Sequence, residues 1–332
     1  MSRLFVTGAT GFLGRHLSEL LRARGHEVVA LARRPSPALV ALGVDVRLGD
    51  VLDGASVRAA AEGTDGAFHC AGKVSRDRAD AELMQRVHVG GTKIVLDALR
   101  EARVRRVVVA STSGTIAVSE SATVHDETAP APLDVIARWP YYRTKLFAEE
   151  AALEQSRADF EVVCVNPSLL LGPGDVHGSS TEDVCKFLER KIPFCPAGGI
   201  AFVDARDAAL GMVAAFERGE PRARYLLNGA NMTLQAFFGR LERISGVKAP
   251  AVRLPRTTAR MAGVSAELLG KVTKAFDLAS PLDPVSAEMA QYFWYCSSAR
   301  AEQMLGFSPR DPNDTLSDTI ADLRGRGVVW PT

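Results

Sequence analysis

Residues 4–17 read Leu4-Phe5-Val6-Thr7-Gly8-Ala9-Thr10-Gly11-Phe12-Leu13-Gly14-Arg15-His16-Leu17: an apolar run, three spaced glycines and the start of an amphipathic segment. The apolar run suits a buried strand, and Leu13, Leu17, Leu20 and Leu21 recur on one face of a helix. The glycines therefore fall in the strand-to-helix turn, where each has a task. One lets the chain turn sharply, one lets the backbone approach a pyrophosphate, and one lets helix and sheet pack closely. The helix N-terminus behind them offers N–H groups and a positive dipole end to phosphate. The spacing is GxxGxxG rather than GxGxxG, so the motif gains its meaning from the strand before it and the helix after it.

Outward from this turn, short apolar runs alternate with helical patterns. Strands are expected at residues 28–32, 44–48, 66–71, 107–111 and 161–165, and helices at 55–63, 81–101 and 141–156. This alternation implies an α/β fold with a doubly wound parallel Rossmann sheet, because parallel neighbours need a crossover and a helix is the usual one. Beyond Pro167 the texture changes, with proline and glycine crowding residues 167–199. The expected organisation is a nucleotide-binding domain over residues 1–166, rejoined by return segments within about 200–230 (a helix at 204–217, a strand at 224–227). Residues 167–199 and 231–332 then form a smaller, mainly helical, substrate-binding lobe.

The 40 basic and 39 acidic residues nearly cancel. No bulk field favours nucleic acid or a membrane surface, which leaves a small molecule as the expected partner. Five scattered cysteines without a CxxC pair argue against a disulfide framework or a zinc site and point to a reducing, cytoplasmic setting. The chain runs from Met1 straight into the first strand, with no signal-peptide layout and no apolar run of bilayer length. The six histidines are dispersed, no metal site is expected, and His125-Asp126-Glu127 reads as a solvated loop.

At the end of the second strand, where an acidic residue would hold the ribose 2′-hydroxyl of NAD, stand Arg33 and Arg34. A guanidinium cannot accept that hydroxyl's hydrogen bond but pairs with a 2′-phosphate, so NADP(H) is expected ahead of NAD(H). Asp50, closing the third strand, is placed for the adenine edge or for a turn.

Residues 141–145 read Tyr-Tyr-Arg-Thr-Lys, and Tyr141 alone among the five tyrosines has lysine four residues on. At that spacing Tyr141 and Lys145 share a helix face. Ketone reduction needs a proton donor beside the forming alkoxide, and a nearby ammonium eases ionisation of a phenol. Earlier, Val107-Val108-Val109-Ala110 runs out into Ser111-Thr112-Ser113 at the carboxyl end of a strand, where open α/β sheets bind ligands. Thr112 is the first choice for the hydroxyl that meets a substrate oxygen, Ser113 the second.

Together these segments resemble the extended short-chain dehydrogenase/reductase family, in particular its dihydroflavonol reductases, 3β-hydroxysteroid dehydrogenases and bacterial ketone reductases. The likeness also runs through Phe68 to Gly72, Val89-Gly90-Gly91-Thr92, Tyr141 to Glu149, Asn166 to Asp175, Phe202 to Asp207, and Leu305-Gly306-Phe307 with Pro309. It implies Thr112, Tyr141 and Lys145 as catalytic residues. It implies a cofactor-binding set of Gly8, Thr10, Gly11, Phe12, Leu13, Gly14, Arg33, Asp50, Val51, Ala71, Gly72, Tyr141, Lys145, Pro167 and Ser168. Three departures stand out: His88 where the family's helix has Asn, Asn166 where it has Arg before Pro, and Ile116-Ala117-Val118 where sugar-nucleotide enzymes have Val-Tyr-Gly. The expected activity is NADP(H)-dependent reduction of a moderately apolar ketone, or oxidation of the matching alcohol. The alternative is a nucleotide-sugar epimerase or dehydratase that retains its cofactor. Phe187, Phe194, Phe202, Tyr292, Phe293 and Trp294 are candidates for an apolar pocket, and the resemblance suggests a homodimer.

Overall fold

The structure is a computed structural model that describes residues 1–253 and 284–330. Its strands are β1 (Arg3–Thr7), β2 (Glu27–Ala32), β3 (Asp45–Leu48), β4 (Gly66–His69), β5 (Arg106–Ala110), β6 (Glu161–Pro167), β7 (Leu169–Leu171), β8 (Phe194–Cys195), β9 (Gly199–Asp204), β10 (Arg224–Leu227), β11 (Ala230–Thr233) and β12 (Val252–Arg253). Seven of them form one sheet in the order β10-β6-β5-β4-β1-β2-β3, with every neighbouring pair parallel. The order reverses beside β1, which opens a crevice at the carboxyl ends of β1 and β4 where such sheets bind ligands.

Alternation along the strands builds two cores. Leu4, Val6, Val108 and Ala110 face one layer, with Leu17 and Leu21 of the helix Phe12–Ala23 and with Met212 of the helix Ala205–Arg218. Phe5, Val107 and Val109 face the other, with Val57, Leu96 and Leu99. A fully buried leucine such as Leu17 or Leu21 contributes about 2–3 kcal/mol of transfer free energy, so the helix behind the glycine turn is fixed chiefly by its apolar stripe.

The third strand is an edge strand with Leu48 62% exposed. Two elements differ from expectation. The helix expected over 81–101 is broken into Ala81–Gln85, a π-helical turn Arg86–Gly90, and Gly91–Glu101. Beyond β6 a small mixed sheet, β11-β9-β7, packs Leu171, Phe202 and Met232 against Phe187, Phe237, Leu241, Leu316 and Ile320. Around it lie the helices Glu182–Leu188, Leu234–Ser245 and Pro312–Gly325. Phe187 and Phe202 are 2% and 1% exposed, so these two expected pocket residues are core instead.

Candidate active site

The glycine turn is closed by contacts that admit no side chain. Gly8 has φ +72°, and a Cβ there would lie 2.6 Å from the Ala71 nitrogen; one on Gly14 would lie 2.2 Å from the Gly8 carbonyl oxygen. The helix that starts at Phe12 has no side-chain cap and no acidic residue in its first turn. Its leading N–H groups are thus left for an external acceptor, a donor set that fits a dinucleotide pyrophosphate. Phe12 and Leu13 are buried and anchor the helix, whereas Thr10 is exposed on the turn. Arg33 and Arg34 are exposed and pair with no carboxylate among the described residues. One Asp50 carboxylate oxygen accepts the Leu52 N–H at 3.0 Å, closing the turn that carries Val51.

Tyr141 and Lys145 lie on the helix Pro140–Glu154, which starts on a proline suited to a first helical turn. The Lys145 ammonium donates to the Ala110 carbonyl at 2.8 Å, at the end of β5, and stands beside Gly72 at the end of β4. Burial raises the Tyr141 phenol well above its ordinary range, with the Tyr142 phenol adding to the effect. Burial also lowers the Lys145 ammonium, against a countering pull from Cys70 and Glu149. In this state the phenol keeps its proton, and the ammonium is spent on a backbone carbonyl. Thr112 precedes the single turn Ser113–Thr115, and its hydroxyl oxygen accepts the Gly114 N–H at 3.4 Å. Ser113 is 5% exposed. Beyond β6, the Ser168 hydroxyl is engaged with the Leu227 carbonyl and the Asn228 side chain at 3.2 and 3.0 Å.

Sequence inspection missed the carboxylate behind this turn. Glu149, eight residues after Tyr141 on the same helix, is 1% exposed. It accepts hydrogen bonds from the Ser111 hydroxyl, from Thr115 Oγ1 at 3.0 Å and from Asn166 Nδ2 at 2.6 Å, while Arg224 Nη1 reaches its other oxygen at 3.2 Å. The Asn166 amide also donates to the Thr112 carbonyl at 3.2 Å. Asn166 therefore ties β6 to the hydroxyl turn, and the cation that balances Glu149 comes from β10. The only sequence signal was that Asn166 departs from the family's usual Arg.

Toward the C-terminal half, Arg76 makes two hydrogen bonds to Asp183 at 3.1 and 2.8 Å and one to Ser286 Oγ at 2.8 Å, joining the loop after β4 to the helix Glu182–Leu188. Tyr142 stacks obliquely on Trp294 with ring centroids 4.8 Å apart, and Trp139 packs against Tyr292. A Cβ on Gly114 would meet the Tyr142 ring at 2.3 Å. Tyr292 and Trp294 pack with Tyr142 against the core cluster of Val118, Ile136, Trp139 and Leu146. The His125–Glu127 loop differs from expectation: Glu127 is 7% exposed and accepts the Leu226 N–H at 2.7 Å, covering the edge strand β10.

The family model described as "NAD dependent epimerase/dehydratase family" matches residues 4–227, from the first strand through β10. The chain belongs to the NAD-dependent epimerase/dehydratase family. Within it, cinnamoyl-CoA reductase 1 of Arabidopsis thaliana is 33% identical over 98% of this chain and 90% of its own length. A 4-hydroxy-2-methyl-3-oxo-4-farnesyl-3,4-dihydroquinoline-1-oxide ketoreductase of Stigmatella aurantiaca is 33% identical over 80% of each chain. The solved structure of gox2253 superposes with a TM-score of 0.86 at 28% identity, covering 99% of this chain and all of that one. As a member of this family the chain is an oxidoreductase-type enzyme that uses a nicotinamide dinucleotide. Among the described residues no cluster of three metal-ligating side chains occurs, and no helix is long and apolar enough to cross a membrane.

Proposed function

We propose that this enzyme reduces a free, moderately apolar ketone with NADPH, or oxidises the matching secondary alcohol. The observation that carries the proposal is the placement of Tyr141 and Lys145 on one helix, with the Lys145 ammonium beside Gly72 at the end of β4, next to the uncapped glycine turn. The dinucleotide, when bound, supplies or removes the hydride. Gly8, Gly11 and Gly14 with the N–H groups from Phe12 onward would receive its phosphates, while Val51, Ala71, Gly72, Pro167 and Ser168 would line the remaining wall. Thr112 donates a hydrogen bond to the carbonyl oxygen. Tyr141, whose phenol burial keeps protonated, delivers its proton to that oxygen as negative charge develops there. Lys145, which donates to the Ala110 carbonyl at 2.8 Å, would hold the ribose and support the ionised phenol once the dinucleotide is bound.

Relatives named as reductases of ketones and acyl thioesters support reduction over epimerisation. Arg33 and Arg34, exposed and paired with no carboxylate among the described residues, support NADPH, since a guanidinium binds a 2′-phosphate in two-pronged geometry. Replacing Arg33 with Asp should weaken NADPH at least about tenfold and leave NADH within about threefold, as read by fluorescence titration. Equal losses would place the 2′-phosphate elsewhere.

A further inference from the structure

The sequence departs from its family at His88, and the structure gives that residue a defined chemistry. His88 is 1% exposed and sits in the π-helical turn Arg86–Gly90. Such turns interrupt the regular helical ladder and redirect a side chain, and they occur frequently at functional sites. The imidazole Nε2 lies 3.0 Å from the Lys73 backbone nitrogen, which can only donate, so Nε2 is the acceptor. In a neutral ring the proton is then on Nδ1, which donates to Thr144 Oγ1 at 2.8 Å. Thr144 in turn donates to the carbonyls of Pro140 and Tyr141, at 2.7 and 3.0 Å. The ring edge also meets the Tyr141 ring, with centroids 5.7 Å apart and planes at 81°.

We propose that His88 is a positioning residue for the reaction inferred above. A neutral imidazole, protonated on Nδ1, straps the Gly72-Lys73 loop to the first turn of the helix that carries Tyr141 and Lys145. The inference rests on the proposed reductase function for its catalytic consequence but not for its geometry. Both ring nitrogens are occupied, one as acceptor and one as donor, so the imidazole carries no proton to or from the site. Burial first, then the Lys145 ammonium, with His69 adding to them, lower its pKa to about 3. The protonated ring would lose its acceptor nitrogen and face the Lys73 N–H with a second donor. The family's Asn has its amide nitrogen at about the reach of Nδ1, so it can keep the Thr144 bond but not the longer one to Lys73.

Two measurements test this. In histidine labelled with ¹⁵N, the cofactor-free protein should show residue 88, assigned by its loss in His88→Asn, as the Nδ1–H tautomer with shifts unchanged from pH 8 to pH 5. Titration near pH 6.5, or the Nε2–H tautomer, would overturn the strap. Kinetically, His88→Leu should lower kcat by about 10-fold to 100-fold, the scale of a misplaced catalytic group. NADPH affinity, measured by fluorescence quenching, should change less than about threefold, and His88→Asn should recover part of the lost kcat. A folded His88→Leu with wild-type kcat, or a His88→Asn no better than His88→Leu, would contradict the proposal. Absence of turnover on any ketone would defeat the reductase assignment alone, because the NMR result needs no substrate.

Discussion

Glu149 shows how a single side chain governs the hydroxyl turn. A buried carboxylate costs several kcal/mol in desolvation unless it is paired and fully hydrogen-bonded, and here three donors and one guanidinium satisfy it. Glu149→Gln keeps an acceptor for the donors but turns an amide N–H₂ toward Arg224. It should destabilise the protein by about 2 kcal/mol, a value reduced from that of a fully buried pair because Arg224 is 28% exposed. Urea unfolding followed by circular dichroism checks this, and a variant as stable as wild type would mean the pair is not balanced as described. Neither Glu149 nor Asn166 was legible as a partner in sequence, since 17 residues separate them and only the packing of the helix Pro140–Glu154 against β6 brings them together.

At the scale of elements, the glycine turn was the most readable part of the chain. Strand, glycines and helix are contiguous there, and each glycine answers a local constraint. Gly14→Ala would push a Cβ to 2.2 Å from the Gly8 carbonyl oxygen and force helix and turn apart. NADPH affinity should fall at least about tenfold by fluorescence titration, and unchanged affinity would mean that the turn does not seat the phosphates. The break in the helix over 81–101 was not readable as a π-helical turn, because the valines, histidine and glycine of residues 86–90 weaken a helix without specifying which hydrogen-bond pattern replaces it. The π-helical turn appears only when His88 must meet both Lys73 and Thr144 across the layer. The β7-β9-β11 sheet was missed for a related reason: its strands are 3 to 6 residues long, and proline and glycine mask their alternation.

For the whole molecule, two buried neutral histidines tie stability to pH. Burial lowers both His69 and His88 to about 3, with Lys145 contributing, against about 6.5 in the unfolded chain. Their folded pKa values are depressed, so the unfolded state binds more protons between those limits. The stabilisation is complete above pH 6.5 and declines as pH falls toward 3. At pH 5 each residue should forfeit about 2 kcal/mol, seen as a lower unfolding midpoint in urea that His88→Asn partly abolishes. A midpoint independent of pH between 7 and 5 would contradict the buried neutral assignment. Arg76 and Asp183 join the loop after β4 to the helix Glu182–Leu188, and the helix of Tyr141 packs against Trp294 through Tyr142. The proposed function rests on one arrangement, a protonated Tyr141 phenol presented to the substrate beside the bound dinucleotide. The direct test is single-turnover oxidation of NADPH with a ketone drawn from a panel, comparing wild type with Tyr141→Phe by stopped flow. Wild-type enzyme should consume NADPH in step with ketone loss, and Tyr141→Phe should slow the chemical step by about 10²- to 10⁴-fold while binding NADPH normally. Equal rates for the two proteins would contradict the account.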